Sequence, residues 1–229
     1  MRHYLISLIL LLNYCRLESL EKIKQKYYDI INRSFSTKLD LFLFSKCHFD
    51  KRIGQFSYSD FKWFTITDDL VEIYLKAWSL GNNEKLADIG LTMFEIDQMV
   101  SKWSEDNFKV KEELIERYRV DFITDLFPFN EFEKFYSLDP EKRVCHYCNI
   151  NDKELEHLES IFQIKTKRIR GYSMEIDRKK PNYEYLKDNV VLACYWCNNA
   201  KSDEFSEAEF LDHVGPGIRK IWDSRRKRK

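Results

Sequence analysis

The chain has 229 residues, of which 44% are hydrophobic and 15% aromatic, and its 6 Gly and 4 Pro are few. This length and composition allow one large domain or two small ones, and they exclude a largely disordered chain. The net charge of zero hides an asymmetry, because residues 1–140 hold 19 Lys/Arg against 23 Asp/Glu, whereas residues 141–229 hold 19 against 15. The basic excess clusters in KTKRIR (165–170) and SRRKRK (224–229), which suits a polyanionic partner.

The amino terminus, MRHYLISLILLLNYCRLESL, combines a basic start with a short apolar run. The run has the length of a signal peptide and is too short to span a bilayer, but no small-residue cleavage site follows it. Apolar residues continue at helical spacing through Leu17, Leu20, Ile23, Tyr27 and Ile30. We therefore predict one long, buried amphipathic helix in a cytoplasmic protein without a membrane segment.

The segment 1–138 is predicted to be a helical domain. TDDLVEIYLKAWSLG and SEDNFKVKEELIERYRVDFITDLF have the pattern of helices. Between them, Leu86, Ile89, Gly90, Leu91 and Ile96 have roughly the spacing of a helix-turn-helix motif, but the match is weak and two bundle helices around a glycine turn are the favoured interpretation. Three roles stay open for this domain: DNA selection, binding of a partner subunit, or homodimerisation.

The composition changes near Pro140, and shorter elements follow. NDKELEHLESIF predicts a capped helix with Leu155, Leu158 and Phe162 on one face. YSMEID (172–177) and NVVLA (189–193) predict two strands joined by a polar loop. YWCNNAKSD begins a helix, SEAE (206–209) is a capping box for the next, and Pro216 is predicted to separate that helix from a last one.

Four of the six cysteines form two C-x-x-C pairs, Cys145/Cys148 and Cys194/Cys197. This spacing is typical of tetrahedral zinc bound by thiolates, and it indicates a reducing compartment. Four protein ligands leave no open coordination position, so the predicted zinc is structural. The remaining two, Cys15 and Cys47, are predicted to be ordinary buried thiols.

In chain order, the C-terminal part presents C-x-x-C, a helix, a strand ending in EID, a loop, Asn189, a second strand, and C-x-x-C-N followed by Lys201. This order resembles the HNH endonucleases, whose fold is two strands and a helix around one metal ion. The resemblance covers about 145–205 closely and leaves the first 140 residues unexplained. It implies an α+β, predominantly α protein with a helical domain at 1–138 and a zinc-stabilised ββα-metal domain at 139–229.

The resemblance also implies roles for individual residues. Asp177 and Asn198 take the positions of the ligands of a catalytic divalent ion, and their oxygen donors suit Mg²⁺ or Mn²⁺. Asn189 takes the position of the asparagine that braces the loop and orients the catalytic residue. The implied reaction is hydrolysis of DNA phosphodiester bonds, in restriction, phage defence or mobile-element biology.

Arg178 departs from the family pattern, because most HNH enzymes have a histidine directly after the aspartate. Arginine is a poor base, so the proton acceptor stays open between a hydroxide on the metal, Tyr183, Tyr185 and His146. The fixed charge of Arg178 instead suits pairing with a phosphate in the transition state. The alternative for Arg178 is a structural pair with Glu175 or Glu184.

Contacts to phosphates are predicted for Lys201 and for the basic segment, that is for Lys165, Lys167, Arg168 and Arg170. Glu175 alternates to the same strand face as Asp177, where it is either a second acid near the metal or the partner of a loop lysine. Two alternatives to a DNA-cutting enzyme remain: a non-catalytic zinc module that binds nucleic acid, and an HNH enzyme that cuts RNA.

Overall fold

The structure is a computed structural model that describes residues 2–80, 84–85, 90–164 and 173–227, with the backbone alone for 2–19. Several predicted features lie outside the described residues: Leu86 and Ile89 of the helix-turn-helix interpretation, the side chain of Cys15, and the basic segment with Lys165, Lys167, Arg168 and Arg170. Within the described part of the chain, no helix combines the length and the apolar character needed to cross a bilayer.

The first half of the chain is helical, as predicted. Its elements are α1 (Arg2–Asp50), α2 (Tyr58–Lys62), α3 (Asp68–Ser79), α4 (Met93–Asp106), α5 (Phe108–Asp121) with a π-helical turn at Phe122–Leu126, and α6 (Phe129–Tyr136). The second half contains α7 (Asp152–Ser160), β1 (Glu175–Arg178), β2 (Val190–Ala193), α8 (Tyr195–Lys201), α9 (Glu207–Glu209) with a π-helical turn at Phe210–Val214, and α10 (Gly215–Arg226). The fold class is therefore α+β and predominantly α.

Side-chain caps explain where several of these helices begin. Thr67 accepts a hydrogen bond from the backbone of Leu70 at the start of α3, and full capping boxes open α4, α7 and α9. The boxes at Asn151 and Ser206 are those that the sequence predicts. Each cap satisfies backbone N–H groups that the first helical turn leaves without a partner.

Three local predictions are wrong. The segment predicted as one helix from residue 104 is divided at Asn107, whose φ of −120° and ψ of 33° end α4 before α5 begins. Phe162 does not share the buried face of α7, because the chain has left the helix there with a φ of 56° and the side chain is 81% exposed. Pro216 does not separate two helices but lies in the first turn of α10, where its missing N–H costs nothing.

The chain forms two compact units. The first, called here the cysteine unit, contains the residues up to Asp29, Phe127–Pro181 and Leu186–Lys229. The second, called here the helical unit, contains Ile30–Leu126 and Asn182–Tyr185. These units do not follow the sequence division at residue 138, because the first part of α1 and the whole of α6 belong to the cysteine unit.

Aromatic packing joins α1 and α6 within the cysteine unit. The Tyr27 hydroxyl donates to the Phe127 carbonyl at 2.6 Å, and its ring lies 5.1 Å from that of Phe129 and 5.0 Å from that of Phe132. Such rings bury large apolar areas and contribute about 0.5–1.5 kcal/mol per pair beyond the burial itself. This contact fixes residues far apart in the sequence against one another.

The residue before β1 is held by the same elements. The Met174 carbonyl accepts from the Tyr136 hydroxyl at 2.9 Å and from Lys26 Nζ at 3.4 Å. The Met174 N–H donates to Asp152 Oδ1 at 2.8 Å, and Arg143 Nε lies 2.5 Å from the other carboxylate oxygen of Asp152. Side chains from α1, α6 and α7 thus fix the position at which β1 starts.

The helical unit has a core of aromatic and aliphatic side chains. Phe61 packs edge-on against Phe35 and Phe42 with ring centroids 5.6 Å apart in both pairs. Cys47 is fully buried in this unit, as predicted, and burial raises the pKa of its thiol to about 11. The thiol therefore behaves as a small apolar group and is not a reactive nucleophile.

A buried polar network holds the Asn182–Tyr185 segment in the helical unit. The Tyr118 hydroxyl donates to Glu184 Oε1 at 2.7 Å, and Lys38 Nζ lies 3.6 Å from Glu184 Oε2. The backbone N–H of Tyr185 donates to Ser34 Oγ at 3.0 Å. Glu184 is only 8% exposed, and burial raises the pKa of its carboxyl in spite of Lys38 and Tyr118.

The raised pKa predicts how pH changes the stability of this network. Below the unfolded-state pKa of about 4.3, Glu184 is protonated in both states and costs the fold nothing. Between the two pKa values, Glu184 ionises more readily in the unfolded chain than in the folded protein. The free energy of unfolding therefore falls as the pH rises from the unfolded-state pKa through the higher folded-state pKa. Glu184→Gln removes the effect, since the amide does not titrate.

Urea unfolding of the parent and Glu184→Gln between about pH 4 and pH 8 measures the difference. We expect the stability of the parent relative to the variant to fall as the pH rises. A difference that is constant over this range would contradict a raised pKa at Glu184.

Candidate active site

The four cysteines of the two C-x-x-C pairs come together in the cysteine unit. All four are buried and unoxidised, and their sulfur atoms lie within 4.8 Å of one another. Cys148 Sγ and Cys194 Sγ are 3.7 Å apart. Tetrahedral zinc with bonds of about 2.3 Å places its sulfur ligands about 3.8 Å apart. The cluster can therefore hold a metal ion and has the dimensions of a structural zinc site.

Backbone hydrogen bonds shape the first pair into a tight turn. The Cys145 N–H donates to the Ile150 carbonyl at 2.8 Å, and the Asn149 N–H donates back to the Cys145 carbonyl at 2.9 Å. Asn149 has a φ of 56°, a conformation that asparagine tolerates better than most residues. The His146 N–H donates to the Leu192 carbonyl at 2.7 Å, so the turn is attached directly to β2.

The four neighbouring thiols change one another's ionisation. Hydrogen bonds from Cys148, Cys194 and Cys197 lower the pKa of Cys145. The contact with Cys145 in turn raises the pKa of both Cys194 and Cys197. Sulfur atoms this close repel one another when ionised, and a zinc ion compensates the charge of all four thiolates.

Replacing one ligand tests the zinc site. We expect one tightly bound zinc per parent chain, and we expect Cys148→Ser and Cys197→Ser to lose the metal together with the cooperative unfolding of the cysteine unit. Cys47→Ser is the matched control, because it removes a buried thiol outside the cluster and should leave the zinc content unchanged. Elemental analysis and circular dichroism of the purified proteins measure both effects. Folded parent protein without zinc would refute the prediction.

The two strands pair antiparallel, and α8 packs on one face of β1. Glu175 lies opposite Ala193 and Asp177 opposite Val191, so alternation places both acids on the same face of β1. Asn198 and Lys201 are three residues apart and lie on the same face of α8. Asn198 Nδ2 donates to Glu175 Oε2 at 2.6 Å, and Lys201 Nζ lies 3.7 Å from Asp177 Oδ2. Asp177 and Asn198 therefore belong to one small site.

The contact with Glu175 decides how the Asn198 amide is oriented. An ionised carboxylate only accepts hydrogen bonds, so the atom of Asn198 that faces Glu175 is the nitrogen. The carbonyl oxygen Oδ1 consequently points to the other side of the amide. Glu175 is thus the hydrogen-bond partner of the Asn198 nitrogen. The Asn198 oxygen is left to act as a metal ligand of the kind that a hard cation prefers.

Asp177 is largely buried and is held from two sides. The Tyr147 hydroxyl donates to Asp177 Oδ2 at 2.7 Å, and Lys201 approaches the same oxygen from α8. Burial raises the pKa of Asp177, whereas the hydrogen bond from Tyr147 and the charge of Lys201 act in the opposite direction. The donor chemistry of Asp177 and Asn198, with Glu175 beside them, fits Mg²⁺ or Mn²⁺.

The predicted phosphate contact of Lys201 needs correction. Lys201 is only 1% exposed, and its Nζ donates to the Arg178 carbonyl at 2.9 Å. A lysine buried in this way ties α8 to the end of β1 and keeps a positive charge beside Asp177. In the basic C-terminal tail, Arg226 pairs with Glu154, and Arg225 donates to the Gln163 carbonyl at 3.2 Å.

Asn189 precedes β2 and is bonded to the chain that follows β1. Its Oδ1 accepts from the Lys180 N–H at 2.9 Å, and its Nδ2 donates to the Lys180 carbonyl at 3.1 Å. Its own carbonyl accepts from the Lys179 N–H at 2.8 Å. These three bonds fix the chain directly after Asp177 and Arg178.

The candidate bases have partners of their own. His146 Nε2 lies 2.7 Å from Glu207 Oε1 in the cysteine unit. In the helical unit, Tyr183 donates to Asp68, and burial together with this bond raises the pKa of Tyr183. Tyr185 is buried in the same unit. The raised pKa keeps the phenol of Tyr183 protonated, so this side chain is not favoured as a proton acceptor.

Sequence reasoning missed Tyr147, whose hydroxyl contacts Asp177. The signal was present, because Tyr147 lies between the first two cysteines in C-H-Y-C. Once both cysteines bind one ion, the two residues between them have fixed positions. Burial, reinforced by Asp177, raises the pKa of Tyr147, so this side chain acts as a hydrogen-bond donor.

A solved structure of the rare-cutting HNH restriction endonuclease PacI is similar to this chain. The two share 28% sequence identity, the similarity covers 50% of this chain and 77% of that chain, and the TM-score is 0.38. No family model matches the chain, and no curated protein is similar to it.

Proposed function

We propose that this protein is an HNH-type endonuclease that hydrolyses DNA phosphodiester bonds with the help of a divalent metal ion. One observation carries the proposal: Asp177 lies on β1, and Asn198 lies on α8, which packs against β1 beside the cysteine cluster. Both side chains are oriented by neighbours, Asp177 by Tyr147 and Asn198 by Glu175. A pure binding module has no need of two oriented oxygen donors at this place.

Asp177 and Asn198 would hold the ion. Bound there, Mg²⁺ or Mn²⁺ would stabilise the negative charge that develops on the scissile phosphate and on the leaving oxygen. Asp177 contributes a full negative charge from a largely buried position, and Asn198 contributes a neutral oxygen. The nearby Lys201 limits the charge repulsion between Asp177 and Glu175 without contacting the substrate.

Arg178 would contact the phosphate. It directly follows Asp177 at the end of β1, and its backbone carbonyl is fixed by Lys201 while the next two residues are fixed by Asn189. A guanidinium can pair two-pronged with a phosphate and stabilise the extra charge of the transition state. The permanent charge that makes arginine a poor base suits this role.

The proposal predicts that Asp177→Ala and Asn198→Ala each nearly abolish cleavage. Losing a ligand removes about 4 kcal/mol of charge stabilisation, which corresponds to a rate decrease on the order of a thousandfold. Asp188→Ala and Asn199→Ala are matched controls, because they remove side chains of the same two types from exposed positions of the cysteine unit. Plasmid DNA and a structured RNA, each with Mg²⁺, with Mn²⁺ and with EDTA, are the substrates.

We expect metal-dependent cleavage of DNA by the parent and by both controls. Cleavage of RNA in place of DNA would overturn the assignment of the substrate. Undiminished cleavage by Asp177→Ala and Asn198→Ala would place the active site elsewhere.

Arg178 gives a separate prediction about charge. Arg178→Lys keeps a cation but loses the two-pronged geometry, so it should retain part of the activity, whereas Arg178→Ala should lose most of it. Single-turnover cleavage rates measured across a range of pH separate this effect from substrate binding. Full activity of Arg178→Ala at every pH would leave Arg178 a structural residue.

A further inference from the structure

Tyr147 is fixed from three directions in the cysteine unit. Its neighbour Cys148 belongs to the four-sulfur cluster, and its side chain is only 3% exposed. The ring packs edge-on against Phe210 with centroids 5.0 Å apart. A Cβ at Gly215 would lie 2.2 Å from the Tyr147 carbonyl oxygen, so α10 approaches this backbone as closely as only glycine permits.

The single polar atom of this fixed side chain is directed at the candidate ligand Asp177. The Tyr147 hydroxyl donates to Asp177 Oδ2 at 2.7 Å, the same oxygen that lies 3.7 Å from Lys201 Nζ. A carboxylate can rotate about its Cβ–Cγ bond, and a hydrogen bond together with an ion pair on one oxygen restricts that rotation. The cation-binding geometry of Asp177 is then set before any ion arrives.

We propose that Tyr147 is a positioning residue that transmits the rigidity of the cysteine cluster to Asp177. This inference rests on the proposed function, in which Asp177 is a ligand of the divalent ion. The cluster fixes the turn from Cys145 to Cys148, the turn fixes Tyr147, and the hydroxyl of Tyr147 fixes the carboxylate. The structural metal site thereby contributes to the strength of the second metal site.

A merely structural tyrosine would behave differently. Loss of an ordinary buried hydrogen bond costs about 1 kcal/mol of stability and leaves cation binding unchanged. Removal of a hydrogen bond that orients a metal ligand lowers metal affinity by about 10–100-fold. Cation affinity measured on the folded protein therefore separates the two roles.

The test is the dissociation constant of Mn²⁺, followed by the electron paramagnetic resonance signal of free Mn²⁺ in solutions of the zinc-loaded protein. We expect Tyr147→Phe to bind Mn²⁺ about 10–100-fold more weakly than the parent, with one zinc per chain and an unchanged circular dichroism spectrum. Tyr27→Phe is the matched control, because it also removes a buried hydroxyl with a short hydrogen bond in the cysteine unit. Its Mn²⁺ affinity should equal that of the parent.

Two unnatural side chains at position 147 separate the effect of the hydrogen bond from the effect of the volume that the hydroxyl group fills. 4-Aminophenylalanine retains a donor and should restore parental Mn²⁺ affinity. 4-Fluorophenylalanine fills the volume of the hydroxyl without a donor, so the protein that carries it should bind Mn²⁺ as weakly as Tyr147→Phe. This variant keeps the test valid if the smaller side chain of Tyr147→Phe impairs folding.

Asp177→Ala, measured in the same way, separates this inference from the proposed function. Suppose that Asp177→Ala loses Mn²⁺ binding while Tyr147→Phe and the fluorinated variant bind Mn²⁺ as tightly as the parent. This result would overturn only the role of Tyr147. Parental Mn²⁺ affinity in Asp177→Ala would overturn the proposed function itself.

Discussion

The four-sulfur cluster is the constraint on which the candidate site depends. Each strand of the sheet has four residues, and a two-stranded sheet of this size is at best marginally stable alone. Cys194 directly follows β2 and caps α8, Cys197 lies within α8, and the Cys145–Cys148 turn is bonded to Leu192 of β2. One ion bound among the four sulfurs would therefore fix the turn, the sheet and the helix relative to one another.

The polar contacts of the site follow from that arrangement. With α8 held against β1, residues three apart on the helix meet residues two apart on the strand, so Asn198 reaches Glu175 and Lys201 reaches Asp177. The turn adds Tyr147 from a third direction. Buried charges are costly unless they are paired and hydrogen-bonded. Asp177, Glu175 and Lys201 each have a hydrogen-bond partner within the cysteine unit. A site built in this way needs little reorganisation to accept a cation.

Much of this could be predicted from local sequence. The two C-x-x-C pairs, the alternating EID segment, the β-branched run after Asn189 and the capping boxes depend on residues within a few positions of one another. Contacts over long sequence distances could not be predicted. Whether Lys201 reaches phosphate or Asp177 depends on the distance between α8 and β1, and whether Phe162 is buried depends on where α7 ends. The assignment of α6 and the first part of α1 to the cysteine unit rests on Tyr27 and Met174 contacts that no local pattern encodes.

The central claim is that two metal ions with different chemistry occupy neighbouring parts of one small domain. Anomalous diffraction from crystals grown with Mn²⁺, recorded at the zinc and manganese absorption edges, tests it directly. The account predicts a zinc peak among Cys145, Cys148, Cys194 and Cys197, and a separate manganese peak bonded to oxygen atoms of Asp177 and Asn198. A manganese peak away from Asp177 and Asn198, or sulfur atoms without zinc between them, would contradict it.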